Sequence, residues 1–182
     1  MSIVTVATFK KYAKKADDDT VGEALYQSFV DAAESVVEDF LSYSPALTAR
    51  TDTFYGDGKK YLALKAKPVT LGTVTVDGVT RLVADFAVED EVITDITGDV
   101  FPEGSVVVVG YIAGYTTVPG IIQVVILEIA SLLSMEAGDQ IGVNSTTYDG
   151  GNTRTFVNYT NFSKYLAKIE KYRIRRLPRS YP

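Results

Sequence analysis

The stretch from Val106 to Met135, VVVVGYIAGYTTVPGIIQVVILEIASLLSM, constrains the fold more than any other part of the sequence. Its valines and Gly/Tyr/Thr turn predict a short strand, and the proline after them predicts a helix over 118–137. From Ile121 to Met135 only Gln123, Glu128, Ser131 and Ser134 interrupt the aliphatic residues. A helix that is apolar on nearly every side must be covered on all sides, and neighbouring copies of the chain would do this readily. The pattern therefore favours an assembled structural protein.

The same helix is close to the minimum length for crossing a bilayer, but Glu128 at its centre favours a buried or interface helix. The sequence up to Lys15 lacks the apolar core of a secretory signal, so we expect no contact with a membrane. The side chains expected to pack against protein are Ile121, Ile122, Val125, Ile126, Ile129, Leu132 and Leu133.

Histidine and cysteine are both absent from the 182 residues. The commonest general base, the commonest metal ligand and every Ser-His or Cys-His nucleophile pair are therefore excluded. Apolar residues make up 46% and charged residues 23% of the chain, which is typical of a folded globular protein. We expect no enzymatic activity, no cofactor and no metal.

Charge is distributed unevenly along the chain. The segment from Lys164 to Pro182 contains seven Lys/Arg and one acidic residue, a net charge of +6. The 163 residues before it carry 11 basic and 22 acidic residues, a net charge of −11. This basic arm is either a solvated tail or a contact with an acidic partner surface. Nucleic acid is a weaker alternative, because the sequence pI is about 4.8.

Two charged stripes have helical spacing. The capping box formed by Thr20 and Glu23 predicts the start of an amphipathic helix that runs to about Leu41. Its acidic stripe consists of Glu23, Asp31, Glu34 and Glu38, and the C-terminal helix carries Lys164, Lys168 and Lys171. These stripes are either solvated or paired with each other, within a subunit or between subunits.

The region 46–110 has a sequence pattern typical of β-structure. Asp77-Gly78, which lies between valines, is its strongest hairpin signal. We therefore predict an α+β fold with a helical core and an inserted small antiparallel β-sheet. The helical core would contain the N-terminal amphipathic helix, the central apolar helix and the C-terminal helix. A single domain over 1–182 would be divided into helical 1–45, β-rich insert 46–110, central helix 118–137, long loop or hairpin 138–162, and C-terminal helix and basic arm 163–182.

The order of these features resembles one protein family, the head–tail connector or adaptor proteins of long-tailed bacteriophages. The stretches that are similar to that family are FKKYAKKADDDTVGEALYQSFVDAAESVVEDFL, YLALKAKPVTLGTVTVDG, VVVVGYIAGYTTVPGIIQVVILEIASLL and KIEKYRIRRLP. Together they cover most of the chain. The larger β region and the Gly/Asn/Thr-rich segment 138–162 depart from the family's pattern.

The resemblance implies a homo-oligomeric ring, commonly of twelve subunits, in the virion neck between capsid and tail. Such a ring binds the portal protein on one side and a tail-completion or stopper protein on the other. DNA passes through its channel without sequence-specific binding. By analogy, the portal-docking arm consists of Arg173, Arg175, Arg176, Arg179 and Tyr181. The channel or tail-side contact falls on the loop residues Asn144, Tyr148, Asp149, Asn152 and Arg154.

Two other functions remain open on the sequence. A tail-completion or neck protein would share the ring but dock on the opposite partner. A monomeric β-rich binding module would instead expose an aromatic groove, using Tyr55, Tyr61, Tyr111 and Tyr115.

Overall fold

A computed structural model describes residues 2–15, 22–139, 145–147, 153–155 and 162–174. The chain divides into two units. The first, which we call the sheet unit, consists of Leu41–Val118 and the described residues from Tyr172 onwards. The second, the helical unit, consists of the described residues within Ser2–Phe40 and Pro119–Lys171.

Four α-helices and nine strands lie in the described residues. The helices are α1 Val6–Tyr12, α2 Glu23–Leu41, α3 Gly120–Asp139 and α4 Ser163–Leu166, and α4 continues into a 3-10 turn, Ala167–Tyr172. The strands are β1 Thr48–Tyr55, β2 Tyr61–Ala63, β3 Val69–Val76, β4 Val79–Arg81, β5 Phe86–Glu89, β6 Val92–Asp95, β7 Val106–Ala113, β8 Ser145–Thr147 and β9 Thr153–Thr155.

The sheet unit contains a four-stranded sheet in the order β1-β7-β3-β4 and a three-stranded sheet in the order β2-β6-β5. All pairs in both sheets are antiparallel. β3 and β4 are joined through Asp77 and Gly78, whose φ angles are +47° and +82°. A type I′ hairpin turn needs positive φ at both central positions, and glycine adopts it without strain. The predicted Asp77-Gly78 hairpin is confirmed.

Burial alternates along β7, which lies between β1 and β3 in the four-stranded sheet. Val107, Val109 and Tyr111 are buried on one face, whereas Val106 and Ile112 on the other are 41% and 46% exposed. Other buried apolar side chains of this unit are Ile93 and Phe86 in the three-stranded sheet and Phe101 after it, whose ring stacks on that of Phe86. The sheet unit therefore has a core of its own.

The helical unit packs three helices around aliphatic side chains. Thr5 caps α1 by accepting a hydrogen bond from the Thr8 N–H at 3.2 Å. Phe9 of α1 is fully buried, and its ring lies 5.8 Å from that of Tyr26 in α2. The fully buried side chains of α2 and α3 include Val30, Ala33, Val37, Ile122, Val125, Ile126 and Ile129. Within the described ranges, no helix is long and apolar enough to cross a membrane.

The predicted fold, a helical core with a small inserted sheet, is wrong. The strands between Thr48 and Ala113 form two sheets with a separate core, so the β region is not a minor insert. Nor is α3 a central apolar helix buried on all sides: Ile121, Val124 and Met135 are 36%, 38% and 60% exposed. The physical reason is that apolar residues favour the interior without being confined to it, so an all-round aliphatic pattern does not establish all-round burial. The single connector domain stays a prediction.

Gly114 and Gly58 both have positive φ, at +95° and +75°, but only Gly114 is crowded. A Cβ on Gly114 would collide with the backbone carbonyl of Ala46, whereas a Cβ on Gly58 would meet open space. We expect Gly114→Ala to lower the free energy of unfolding by about 2–4 kcal/mol, from backbone strain plus overpacking. Gly58→Ala, the matched control, should cost only about 1 kcal/mol of strain. Urea unfolding measures both, and equal losses would contradict the close approach at Gly114.

Candidate functional site

One face of the four-stranded sheet carries no charged side chain, and we call it the neutral face. The register places its residues in cross-strand rows, for example Thr53, Val108 and Thr75, because residues opposite each other in a sheet point to the same side. The neutral face consists of Ala49, Thr51, Thr53, Tyr55, Thr70, Thr73, Thr75, Thr80, Val106, Val108, Gly110 and Ile112.

Gly110 at the centre of the neutral face shows how closely the rows pack. A Cβ on Gly110 would lie 2.5 Å from Thr73 Oγ1 and 3.9 Å from Thr51 Oγ1. Tyr55, in an outer row, is 73% exposed. Half of the residues of this face are threonine, and its exposed apolar or aromatic side chains are Tyr55, Val106 and Ile112. These three side chains make the neutral face a candidate contact surface.

The charges of β1 lie on the opposite face. Asp52 accepts a short hydrogen bond from the Tyr111 hydroxyl, and it lies 3.9 Å from Arg50 Nε and 3.7 Å from Lys65 Nζ. Burial, together with this hydrogen bond, raises the pKa of Tyr111 to about 12. These charged groups therefore neutralise one another inside the sheet unit, and the neutral face is left without them.

A second polar cluster surrounds Arg81 at the end of β4. Its Nη2 atom lies 3.3 Å from Asp95 Oδ2 and 3.1 Å from Asp99 Oδ2, and its Nε lies 3.9 Å from Asp85 Oδ2. Asp95 is 3% exposed, and it also accepts hydrogen bonds from the N–H and hydroxyl of Thr97. The guanidinium supplies the positive charge that this buried carboxylate needs. The cluster is structural, and the described residues contain no group of three or more His, Cys, Asp or Glu that could hold a metal ion.

Three tyrosines fix the point from which the basic arm departs. The Tyr43 hydroxyl donates to the Tyr172 carbonyl at 3.1 Å, and the rings of Tyr115 and Tyr172 meet edge to face at 6.2 Å. The Ile174 N–H donates to the Leu41 carbonyl at 3.3 Å. Burial and the neighbouring Tyr115 raise the pKa of Tyr43. Arg173 therefore lies in a segment held on the sheet unit, whereas Arg175, Arg176, Arg179 and Tyr181 lie outside the described residues.

Two residues of the acidic stripe of α2, Glu34 and Asp31, accept hydrogen bonds within the chain. Glu34 Oε1 accepts hydrogen bonds from Ser2 Oγ, Ile3 N–H and Val4 N–H at 2.8, 2.7 and 2.8 Å. Asp31 accepts one from Gln27 Nε2 at 2.7 Å. Glu23 is exposed in the first turn of α2, and Glu38 is half-buried. Glu34 thus holds the backbone before α1, a role that its place in a stripe did not indicate.

One lysine of the basic stripe, Lys168, contacts α3. Lys168 Nζ lies 2.6 Å from Glu128 Oε1 and 2.7 Å from Oε2, so one lysine of the stripe has a partner inside the helical unit. Lys164 and Lys171 are exposed. Pairing of the stripes between subunits stays a prediction.

The predicted packing residues of α3 differ in exposure. The fully buried ones are Ile122, Val125, Ile126 and Ile129. Leu132 and Leu133 are half-buried, and Ile121 is 36% exposed. In the predicted loop or hairpin, β8 and β9 pair antiparallel, and Arg154 belongs to β9 opposite Thr146. Asn144, Tyr148, Asp149 and Asn152 lie outside the part of the chain that the structure describes. The roles predicted for these residues stay predictions.

Three solved structures share this fold. A chain in the neck of an empty gene transfer agent (GTA) particle, computed with C6 symmetry, matches with a TM-score of 0.66, 18% identity, 99% coverage of this chain and 94% of that chain. A chain in the virion of a native GTA particle has the same TM-score and coverage at 16% identity. A chain in the neck of a native GTA particle, computed with C12 symmetry, has a TM-score of 0.59, 17% identity and coverage of 97% and 92%. No family model and no curated protein matches the sequence. The resemblance stated from the sequence motifs is confirmed at the level of the fold.

The neutral face was not anticipated from the sequence. Its signal is the alternation of threonine in TARTDTFY of β1 and in VTLGTVTV of β3. Alternation predicts a strand with two different faces, but it does not reveal that both threonine rows lie on one surface. Only the pairing with β7 shows this.

The Lys168–Glu128 contact can be measured by a double-mutant cycle with Lys168→Ala and Glu128→Gln. We expect a coupling energy of about 0.5–1 kcal/mol, because the pair is well aligned but partly solvated. Urea unfolding of both single variants and the double variant provides the measurement. Lys164→Ala, which changes an exposed lysine one turn earlier, is the matched control, and its coupling to Glu128→Gln should be near zero. A vanishing coupling for Lys168 would contradict the contact.

The raised pKa of Tyr111 predicts a loss of stability at alkaline pH. The unfolded chain ionises its tyrosine near pH 10, below the folded value of about 12, so the contribution of Tyr111 is complete below pH 10 and is lost as the pH rises to 12. We expect Tyr111→Phe to show a shallower decline in unfolding free energy across this window. Identical slopes for the wild type and Tyr111→Phe would refute the assignment.

Proposed function

We propose that the chain is a structural protein of a virion neck, located between capsid and tail. The observation that carries the proposal is the match to chains of GTA necks over 99% of this chain and 94% of the neighbour. The likeness extends over both units, so it is not confined to one common substructure. The motif order supports the same role, because it resembles head–tail connector proteins.

In the proposed neck, copies of the chain form a closed ring, and twelve is the number that the resemblance implies. Two neighbouring structures were computed with C6 and C12 symmetry, which supports a rotational arrangement. The neutral face supports assembly as well, because a contact with another copy would bury the exposed side chains of Tyr55, Val106 and Ile112. The aliphatic side chains Ile121 and Val124, exposed on α3, are further candidates for contact between copies.

The ring extends the channel through which DNA passes, and its role is structural rather than catalytic. The clusters around Asp52 and Arg81 satisfy their charges internally, so neither presents an activated nucleophile or an isolated base. An acidic or neutral channel wall would let DNA slide, because binding to phosphates relies on lysine and arginine.

The two faces of the ring bind different partners. The portal-docking arm, which begins at Arg173 next to Tyr172, docks on the portal protein. A tail-completion or stopper protein binds on the other side. The segment around β8 and β9 provides the channel or tail-side contact.

The particle mass of the purified protein, alone and mixed with the portal ring of the same particle, tests this function. Light scattering and electron microscopy should show a closed ring, or a monomer that assembles on the portal. Deleting the residues after Arg173 should abolish portal attachment and leave the subunit folded, because the arm carries the basic charge of the docking contact.

The matched control replaces three lysines outside the arm, Lys11, Lys14 and Lys15, by alanine, and portal attachment should survive. Attachment that persists without the arm would reject the docking assignment. A protein that stays monomeric and ignores the portal would reject the neck function itself.

A further inference from the structure

β1 is a long free edge of the four-stranded sheet. It follows β7 at the end of the order β1-β7-β3-β4, and no other strand of the described chain pairs with it. The Asp77 N–H donates to the Val106 carbonyl, and the Gly56 N–H donates to the Ser105 carbonyl. Because bonding alternates along an antiparallel pair, β7 uses Val106 and every second residue after it for β3, and the residues between them for β1. The backbone N–H and C=O groups that point away from the sheet therefore belong to Ala49, Thr51, Thr53 and Tyr55.

This edge is long and has neither a proline nor a bulge, although it carries two charged residues. Natural sheets guard edges with short strands, prolines, bulges, covering elements or charged side chains. β4, the opposite edge, has three residues, whereas β1 has eight and contains no proline. The register of β1 with β7 is unbroken from Thr48 to Tyr55, and the charges of Arg50 and Asp52 lie on the face opposite the neutral face. The edge of β1 is therefore a template for strand addition.

The chain also contains a pair of strands, β8 and β9, that belongs to no larger sheet within the described residues. β8 and β9 pair with each other, Ser145 opposite Thr155 and Thr147 opposite Thr153, and form a separate two-stranded sheet within the described residues. An isolated two-stranded hairpin is marginally stable in water, and a third strand stabilises it. If the β8–β9 hairpin pairs with the edge of β1, the outward N–H and C=O groups of both form hydrogen bonds with one another.

Rotational symmetry decides between the two ways in which copies could use these elements. A closed ring is built from head-to-tail contacts, in which two different surfaces of the same chain meet. Pairing of β1 with β1 would be two-fold and would stop at a dimer. Pairing of β1 with the β8–β9 hairpin repeats around a ring.

We propose that the β8–β9 hairpin of one copy adds to the edge of β1 in the next copy. The added strand forms backbone hydrogen bonds with Ala49, Thr51, Thr53 and Tyr55, and it extends the neutral face across the boundary between subunits. The hairpin strands fit this surface because Arg154 is their one charged residue. This inference rests on the proposed ring and adds its interface.

Thr53→Pro tests the bond without touching the sheet itself. The Thr53 N–H points away from β7, so proline removes an outward donor and no hydrogen bond of the β1–β7 ladder. We expect self-association to weaken about tenfold for each interface, as expected for one lost hydrogen bond in a contact. Thr53→Val keeps the N–H and the branched side chain, and it should assemble like the wild type. Thermal unfolding of both variants shows whether the subunit fold is intact.

Cross-linking provides a second measurement that does not depend on how the proline variant folds. The chain contains no cysteine, so Thr53→Cys gives a unique site for a benzophenone maleimide. Light and heavy isotope-labelled proteins are mixed and assembled, and mass spectrometry separates links within a copy from links between copies. Links from position 53 to residues 145–155 of another copy are expected.

The outcomes separate this inference from the proposed function. Assembly that fails with Thr53→Pro and persists with Thr53→Val, with links between copies, supports the interface. A ring in which Thr53→Pro assembles normally, or in which position 53 links elsewhere, overturns the interface and leaves the neck function standing. A protein that stays monomeric with and without the portal overturns both.

Discussion

The pairing of β7 with a strand on each side is the constraint on which the sheet unit depends. β7 bonds to β1 over eight residue pairs and to β3 across one irregularity between Leu71 and Thr73. Since side chains alternate along a strand, this double register decides at once which residues of three strands face the core. A slip by one residue would exchange Val109 with Val108 and would expose the core of the unit.

This register also separates charge from contact surface. It directs Asp52 to the face where Tyr111, Arg50 and Lys65 surround it, and it leaves a face of threonine and aliphatic side chains on the other side. Asp52 is half-buried, and its partners offset the cost of removing part of its charge from water. An acidic residue of the helical unit also has partners inside its unit, because Glu34 accepts hydrogen bonds from backbone N–H groups. Much of the acidic charge counted in the sequence therefore has an internal role.

The sequence allowed local features to be predicted better than their arrangement. The Asp77-Gly78 turn was predictable because two adjacent positive φ angles favour that residue pair. The fold class was not, because the aliphatic pattern of α3 predicts complete burial, whereas Val124 and Met135 are exposed. The neutral face depends on which strands are neighbours. Pairing between residues about 50 positions apart, such as Thr53 and Val108, leaves no local signal in one sequence.

A contact surface built from backbone groups and β-branched side chains has a consequence for sequence divergence. Hydrogen bonds from an edge strand require N–H and C=O groups, which nearly every residue has, so they place few demands on side-chain identity. A charged interface would instead require matched pairs on both surfaces. An assembly that bonds through the edge of β1 can therefore keep its geometry while side chains change. This is consistent with a fold shared over 99% of the chain at 18% identity.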